Sequence, residues 1–200
     1  MPQWLRRDFC ALRRQRRSPN YKVFNAQLEE KMSTAPFFTV PTLDREVGAR
    51  VAAILQARLH ALNELHLTLK HAHWNVVGPN FIAVHEMLDP QVDAVRLMVD
   101  EIAERIAALG VIPDGTLAGL AAAQGSGKYP VGRGAVAEHL SALDAVYTEI
   151  VSAHRRGVAE SEQLDAVSSD VLFGHLAELE KFHWFIRAHL ANSAGKLGSA

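Results

Sequence analysis

Val47, Val51, Ile54, Leu55, Leu59, Leu62, Leu65 and Leu69 recur at spacings of three and four residues. That rhythm puts them on one face of an α-helix and is incompatible with a strand, whose apolar residues alternate. Apart from Gly48, neither glycine nor proline interrupts the stretch before Gly78-Pro79-Asn80. The spacing therefore predicts a long helix over about 43–76, with Thr42 as N-cap and Glu46 close by. A second helix is expected from the N-cap Asn80 to Leu109, stopped by Gly110. Pro90 should kink or split it. Val136, Leu140, Leu143, Val146, Tyr147, Ile150 and Val151 predict a third helix over about 135–156, ended by Gly157. Val171, Leu172, Leu176, Leu179, Phe182, Ile186 and Leu190 predict a fourth over about 162–192. Residues 110–134 are rich in Gly and Pro and hold one short helical candidate, Leu117–Ala123. No segment alternates like a strand. The fold class is all-α: a four-helix bundle with one long crossover connection.

The chain has 200 residues, 48% of them apolar and 22% charged, which suits one domain with a sizeable core. No apolar run approaches the ~20 residues of a membrane span. Cys10 is the only cysteine, which excludes an intrachain disulfide framework and a cysteine zinc site. The expected division is a basic extension over 1–42, a bundle over 43–193 and a short tail over 194–200.

Charge is unevenly spread. Residues 1–31 carry Arg6, Arg7, Arg13, Arg14, Arg16, Arg17, Lys22 and Lys31 against Asp8, Glu29 and Glu30, a balance of +5. The remaining residues hold 13 basic and 19 acidic side chains, a balance of −6. A basic arm on an acidic body can bind phosphate backbones without reading sequence. Three other readings stand beside it. The arm could be a plain mobile terminus or an Arg-rich targeting peptide. It could also arise from the choice of start site. Met32 offers a second start, and Glu29-Glu30-Lys31 could be encoded by a purine-rich stretch resembling a ribosome-binding site.

The second helix carries two i, i+4 pairs, His85 with Asp89 and Asp100 with Glu104, each on one helix face. Imidazole with carboxylate suits iron or manganese, and zinc less specifically. Asp89 and Asp100 lie eleven residues apart, on nearly the same face but about 16 Å along the axis. The two pairs cannot grip one ion within one chain. Two such helices crossing antiparallel on a two-fold axis would join each His/Asp pair to the other chain's Asp/Glu pair, with Ala94 small enough for close approach. The plainer alternative is a solvated face beside a buried polar pair. His73, near the end of the first helix, completes a set of His73, His85, Asp89, Asp100 and Glu104.

With its His-Trp-Asn at 73–75, its Gly-Pro-Asn-Phe-Ile-Ala-Val-His-Glu-Met-Leu-Asp at 78–89 and its Asp-Glu-Ile-Ala-Glu-Arg-Ile at 100–106, the chain closely resembles the Dps family of mini-ferritins. The intervals of 12, 4, 11 and 4 between the five residues fit that family's ferroxidase signature. Residues 180–186, Glu-Lys-Phe-His-Trp-Phe-Ile, are similar to its last helix. The resemblance covers about 43–193. It implies a ferritin-like bundle with a short helix in the long connection, assembled as a hollow homododecamer. It further implies an iron-oxidising centre shared across each two-fold interface, with His73, His85 and Asp89 from one chain and Asp100 and Glu104 from its partner. The implied activity is ferroxidase: Fe(II) is oxidised, preferably by hydrogen peroxide, and Fe(III) oxide is stored in the shell, sparing DNA from hydroxyl radical.

Trp74 resembles the family's radical-quenching tryptophan, with a core-packing role as the alternative. The acidic run Glu160, Glu162, Asp165 and Asp170 near the start of the fourth helix suits the family's negative pores, Asp170 foremost. Charge compensation at a helix N-terminus is the alternative there. The tail holds one lysine, so DNA binding falls to residues 1–31. A second reading of the whole is a nucleoid-compacting shell acting through that arm, with the avidity of a repeated module. A bundle-core di-iron protein would need two Glu-x-x-His motifs, and only Glu180–His183 qualifies. The expected location is the cytoplasm, on the nucleoid if DNA is bound.

Overall fold

The computed structural model of the protein describes residues 40–123 and 129–191. They form helices α1 (Arg45–Asn75), α2 (Phe81–Ala108), the short α3 (Leu117–Ala122), α4 (Val136–Glu162) and α5 (Ala166–Leu190). Two-residue strands β1 (Val76–Val77) and β2 (Gly134–Ala135) pair in parallel, with Val76 opposite Gly134 and Val77 opposite Ala135.

The small strand pair explains the long connection. It sets the start of α4 beside the end of α1, where α2 also begins. Helices α2 and α4 therefore run the same way, and the chain must travel back along the bundle between them. Polar contacts hold this returning segment to α1. Gln56 Nε2 donates to the Asp114 carbonyl at 2.9 Å, and its Oε1 accepts from the Asp114 amide at 2.8 Å. The short helix lies within this connection, with the Thr116 hydroxyl accepting from Gly119 N as its N-cap.

The expected apolar stripes meet in one core. Val51, Leu55, Leu59, Leu62, Leu65 and Leu69 of α1 are buried against Val84, Leu88, Val95, Ile102 and Ile106 of α2. Leu140, Leu143 and Tyr147 of α4 and Leu172, Leu179 and Ile186 of α5 close the other side. Each fully buried aliphatic side chain contributes about 1.5–3 kcal/mol of transfer free energy. No described helix is long and apolar enough to cross a membrane.

Several helix ends differ from the sequence expectation. Asp44, not Thr42, caps α1: its carboxylate accepts from Glu46 N at 2.8 Å and Val47 N at 3.3 Å. Thr42 itself sits at φ 67°. Asn80 precedes α2 in the left-handed region at φ 63° and makes no side-chain cap bond. Helix α2 is not split at Pro90. The proline and Glu86, whose carbonyl loses its donor, both lie on the exposed face, where water can replace the bond.

Helix α4 continues through Gly157 to Glu162. Gly157 marks a close approach rather than a helix end. A Cβ there would lie 3.3 Å from Leu172 Cδ1 and 3.6 Å from Arg58 Cδ and Ile54 Cγ2. Three elements thus crowd the same point, and helix propensity alone favoured a stop. Gly157→Leu is expected to cost about 1–3 kcal/mol through overpacking, read as a lower midpoint of thermal unfolding. A midpoint at or above that of the unaltered protein would contradict the close packing.

Candidate metal centre

The turn from α1 to α2 brings His73 and His85 into contact across twelve residues of sequence. His73 lies in the last turn of α1, where backbone carbonyls lack helical partners. Its carbonyl instead accepts from His85 Nδ1 at 3.0 Å, while His73 Nδ1 donates to the His85 carbonyl at 2.9 Å. The two rings stack at 3.6 Å between centroids and 22° between planes. Phe81 packs on the His85 ring at 4.9 Å. With Nδ1 of each ring protonated and bound to a carbonyl, the lone pair sits on Nε2 in both. This is the second-sphere arrangement that orients imidazole toward a metal. His73 is 6% exposed.

Asp89, one turn after His85, reaches the same place. Its Oδ1 lies 3.2 Å from His73 Nδ1, but the Nδ1 proton is committed to the carbonyl. The principal partner of the carboxylate is Lys70, whose Nζ donates to Oδ1 at 2.6 Å. That bond to Lys70 holds the Asp89 carboxyl below the usual carboxylate range, against the opposing effect of burial and with help from His73 and His85. Asp89 is thus an anion ready for a cation. Lys70 is the site residue that sequence reasoning missed. Its signal was the i, i+3 spacing to His73, which places both on one face of α1.

Asp100 and Glu104 are exposed on α2, about three turns from His85 and Asp89. The structure does not bring them to the histidines within one chain. Leu97, 65% exposed, lies on the helix between the two groups, and Ala94 is half-buried and packs partly on the core. Among the described residues no three His, Cys, Asp or Glu side chains converge as a complete metal site. The donors fit a hard cation of the iron type as two half-sites, imidazole-rich and carboxylate-only.

The remaining sequence candidates separate by environment. Trp74 is 69% exposed, so the core-packing alternative fails within the chain. Glu180 pairs with Arg155, and His183 with Asp144, which removes the Glu-x-x-His motif from any bundle-core metal site. Glu160 and Glu162 belong to the last turn of α4, not to the start of α5. Asp165 is the N-cap of α5, accepting from Ser168 N at 3.1 Å and from Arg105 of α2 at 2.7 Å. Asp170 is exposed on α5. Arg6, Arg7, Arg13, Arg14, Arg16, Arg17 and Lys22 lie outside the described residues.

A family model for the ferritin-like domain matches residues 52–194. The DNA protection during starvation protein of Mycolicibacterium smegmatis is 51% identical over 160 residues, covering 80% of this chain and 87% of that protein. The fine tangled pili major subunit of Haemophilus ducreyi is 52% identical over 159 residues, covering 80% of this chain and 84% of that protein. The solved structure of DpsA14 from Streptomyces coelicolor shares 53% identity and superposes with a TM-score of 0.77, covering 82% of this chain and 98% of that one.

The Asp165–Arg105 pair yields a stability prediction. Burial pushes the Asp165 carboxyl up, but the Ser168 hydroxyl and the Arg105 guanidinium outweigh it and leave the group below its ordinary value. A depressed folded-state pKa stabilises the fold above the unfolded carboxylate range, near pH 4, and that stability is lost as the pH falls through the folded value. Asp165→Asn is expected to cost about 3 kcal/mol at neutral pH, because it strands a largely buried guanidinium. The cost should shrink as the acid limb is entered. Urea titrations at neutral and acid pH check both, and a pH-independent cost would contradict the account.

Proposed function

This chain belongs to the Dps family of ferritin-like proteins, and we propose that it is a ferroxidase. In this reading it oxidises Fe(II), preferably with hydrogen peroxide, and stores Fe(III) oxide in a hollow homododecamer that protects DNA from oxidative damage. The observation that carries the reading is the crossed pair of His73 and His85, which presents two Nε2 lone pairs next to an ionised Asp89.

Fe(II) would bind to His73, His85 and Asp89 of one chain and to Asp100 and Glu104 of the partner subunit. The antiparallel two-fold crossing of α2 would supply both halves. Arriving iron displaces Lys70 from Asp89, so the charge of the empty site is balanced until metal enters. Hard carboxylate oxygens favour Fe(III) over Fe(II) and so promote electron loss. Two Fe(II) ions would each give one electron to a single peroxide, whose O–O bond is cleaved to two hydroxide ions; an Fe(II) ion reacting singly would leave one hydroxide and one hydroxyl radical. Asp170, exposed on α5, is the acid proposed to concentrate cations at a pore; exposed Glu162 and Asp165, which is held by Arg105, precede it in sequence. Trp74, exposed and next in sequence to His73, is proposed to intercept stray radicals. The proposed location is the cytoplasm.

The second reading, a DNA-compacting shell, rests on the basic composition of residues 1–31. Deleting them should abolish retardation of DNA at low salt, since the rest of the chain is acidic. Equal retardation by the full and shortened forms would remove the arm from DNA binding.

Two crippled variants test the shared centre. One lacks His73, His85 and Asp89; the other lacks Asp100 and Glu104. Each alone should be inactive. In a mixed dimer one site combines both damaged halves and the other both intact halves. Random pairing in co-expression should therefore restore about a quarter of all sites. Peroxide-driven Fe(II) oxidation no faster than in either variant alone, in shells shown to be mixed, would sink the two-fold model.

A further inference from the structure

On the face of α1 turned away from His73, three aromatic side chains meet. Tyr129, in the connection before β2, places its hydroxyl 2.7 Å from His139 Nδ1. The Tyr129 and His139 rings lie 5.9 Å apart at 25°. His71 of α1 meets the Tyr129 ring edge-on at 5.9 Å. His139 is 4% exposed, and Tyr129 packs against the core. Gly134 keeps the space beside the imidazole open. A Cβ there would stand 3.2 Å from both His139 Nε2 and Glu138 Oε2 and would press the ring away from its position.

We propose that Tyr129 and His139 form a separate redox site, in which the phenol gives an electron to a strong one-electron oxidant while its proton passes to the imidazole. The step balances. A hydroxyl radical takes the electron and becomes hydroxide. The phenolic O–H bond breaks and an N–H bond forms at His139 Nδ1. A neutral phenoxyl radical is left beside an imidazolium.

The surroundings suit each stage. Burial pushes the phenol well above its ordinary pKa, so it is not lost as phenolate beforehand. Burial also holds His139 down, which keeps the ring neutral and able to accept a proton. Once the proton arrives, the Asn75 carbonyl and Glu138 favour the imidazolium, against His71. Tyr147 makes the contrast. Its hydroxyl donates a hydrogen bond of the same length, 2.7 Å, to Gln91 Oε1, an amide oxygen that is no base. Oxidation of Tyr147 would leave its proton without a destination. His71 precedes His73 by about half a helical turn, so the pair lies across α1 from the proposed iron site. The source of the oxidant rests on the ferroxidase reading; the chemistry of the pair does not.

Flash-generated ruthenium(III) polypyridyl oxidant, applied to the intact iron-free protein, tests the pair directly. Transient absorption and paramagnetic resonance should show a phenoxyl radical in the unaltered protein and in Tyr147→Phe. Tyr129→Phe, made on a Tyr21→Phe background so that Tyr147 is the one phenol left, should lack it. His139→Asn keeps a hydrogen-bond acceptor but no base, and should form it about a hundredfold more slowly. A phenoxyl signal that persists in Tyr129→Phe, no signal in the unaltered protein, or an unchanged rate in His139→Asn would overturn the proposal. A second arm mixes Fe(II) and hydrogen peroxide with the protein and freezes the mixture rapidly. It should trap the same radical, absent from Tyr129→Phe although iron oxidation continues. If iron is not oxidised at all while the flash experiment behaves as expected, the ferroxidase reading fails and the redox pair stands.

Discussion

The crossed hydrogen bonds between His73 and His85 hold together the part of the molecule on which the rest depends. Each imidazole donates to the other residue's carbonyl. One of those carbonyls is an orphan at the end of α1, so a helix terminus is satisfied by a side chain from the second turn of the next helix. The same two bonds determine the tautomer of both rings. A turn that only reversed the chain would have no need of this. Here closing the hairpin and orienting two candidate metal donors are a single geometric act, and a change that loosens one must loosen the other.

The charges follow a division of labour. Acids that stabilise the subunit are spoken for: Asp44 and Asp165 cap helices, Asp165 holds Arg105, and Asp144 receives both His183 and Arg187. Asp100 and Glu104 are exposed on the face of α2 that also bears Leu97. A face of this kind gains little for a lone subunit, since exposed carboxylates repel each other and exposed leucine remains in water. It gains when a second copy covers it. Asp89 stands between the two groups, paired to Lys70 in the single chain and available to a cation that outcompetes an ammonium. The candidate half-site therefore has its carboxylate charge balanced within the single chain by Lys70.

The polar content of the interior is more than a structural residue of evolution. Tyr147 with Gln91, and Tyr129 with His139, place two phenols in similar hydrogen bonds at equal length. What separates them chemically is the acceptor, an amide in one case and a base in the other. The fold tolerates both because a satisfied buried hydroxyl costs little. Only one of the two can move a proton.

Much of this was legible from residues alone. Apolar spacing determined four long helices, because one buried face per helix leaves an unmistakable period. Interval and residue type marked His73, His85, Asp89, Asp100 and Glu104 as candidate donors, because i, i+4 neighbours share a helix face. Local pattern was least informative where tertiary contact outweighed it. Gly157 reads as a helix end, yet α4 runs through it, and the glycine serves a close packing of α4 on Leu172, Arg58 and Ile54. Pro90 reads as a break, yet the one bond it removes faces water. Lys70 shared a helix face with His73 but, like Tyr129, carried nothing that revealed its partner. Their partners, Asp89 and His139, lie on other elements of the chain, and a contact between elements has no period for a sequence to display.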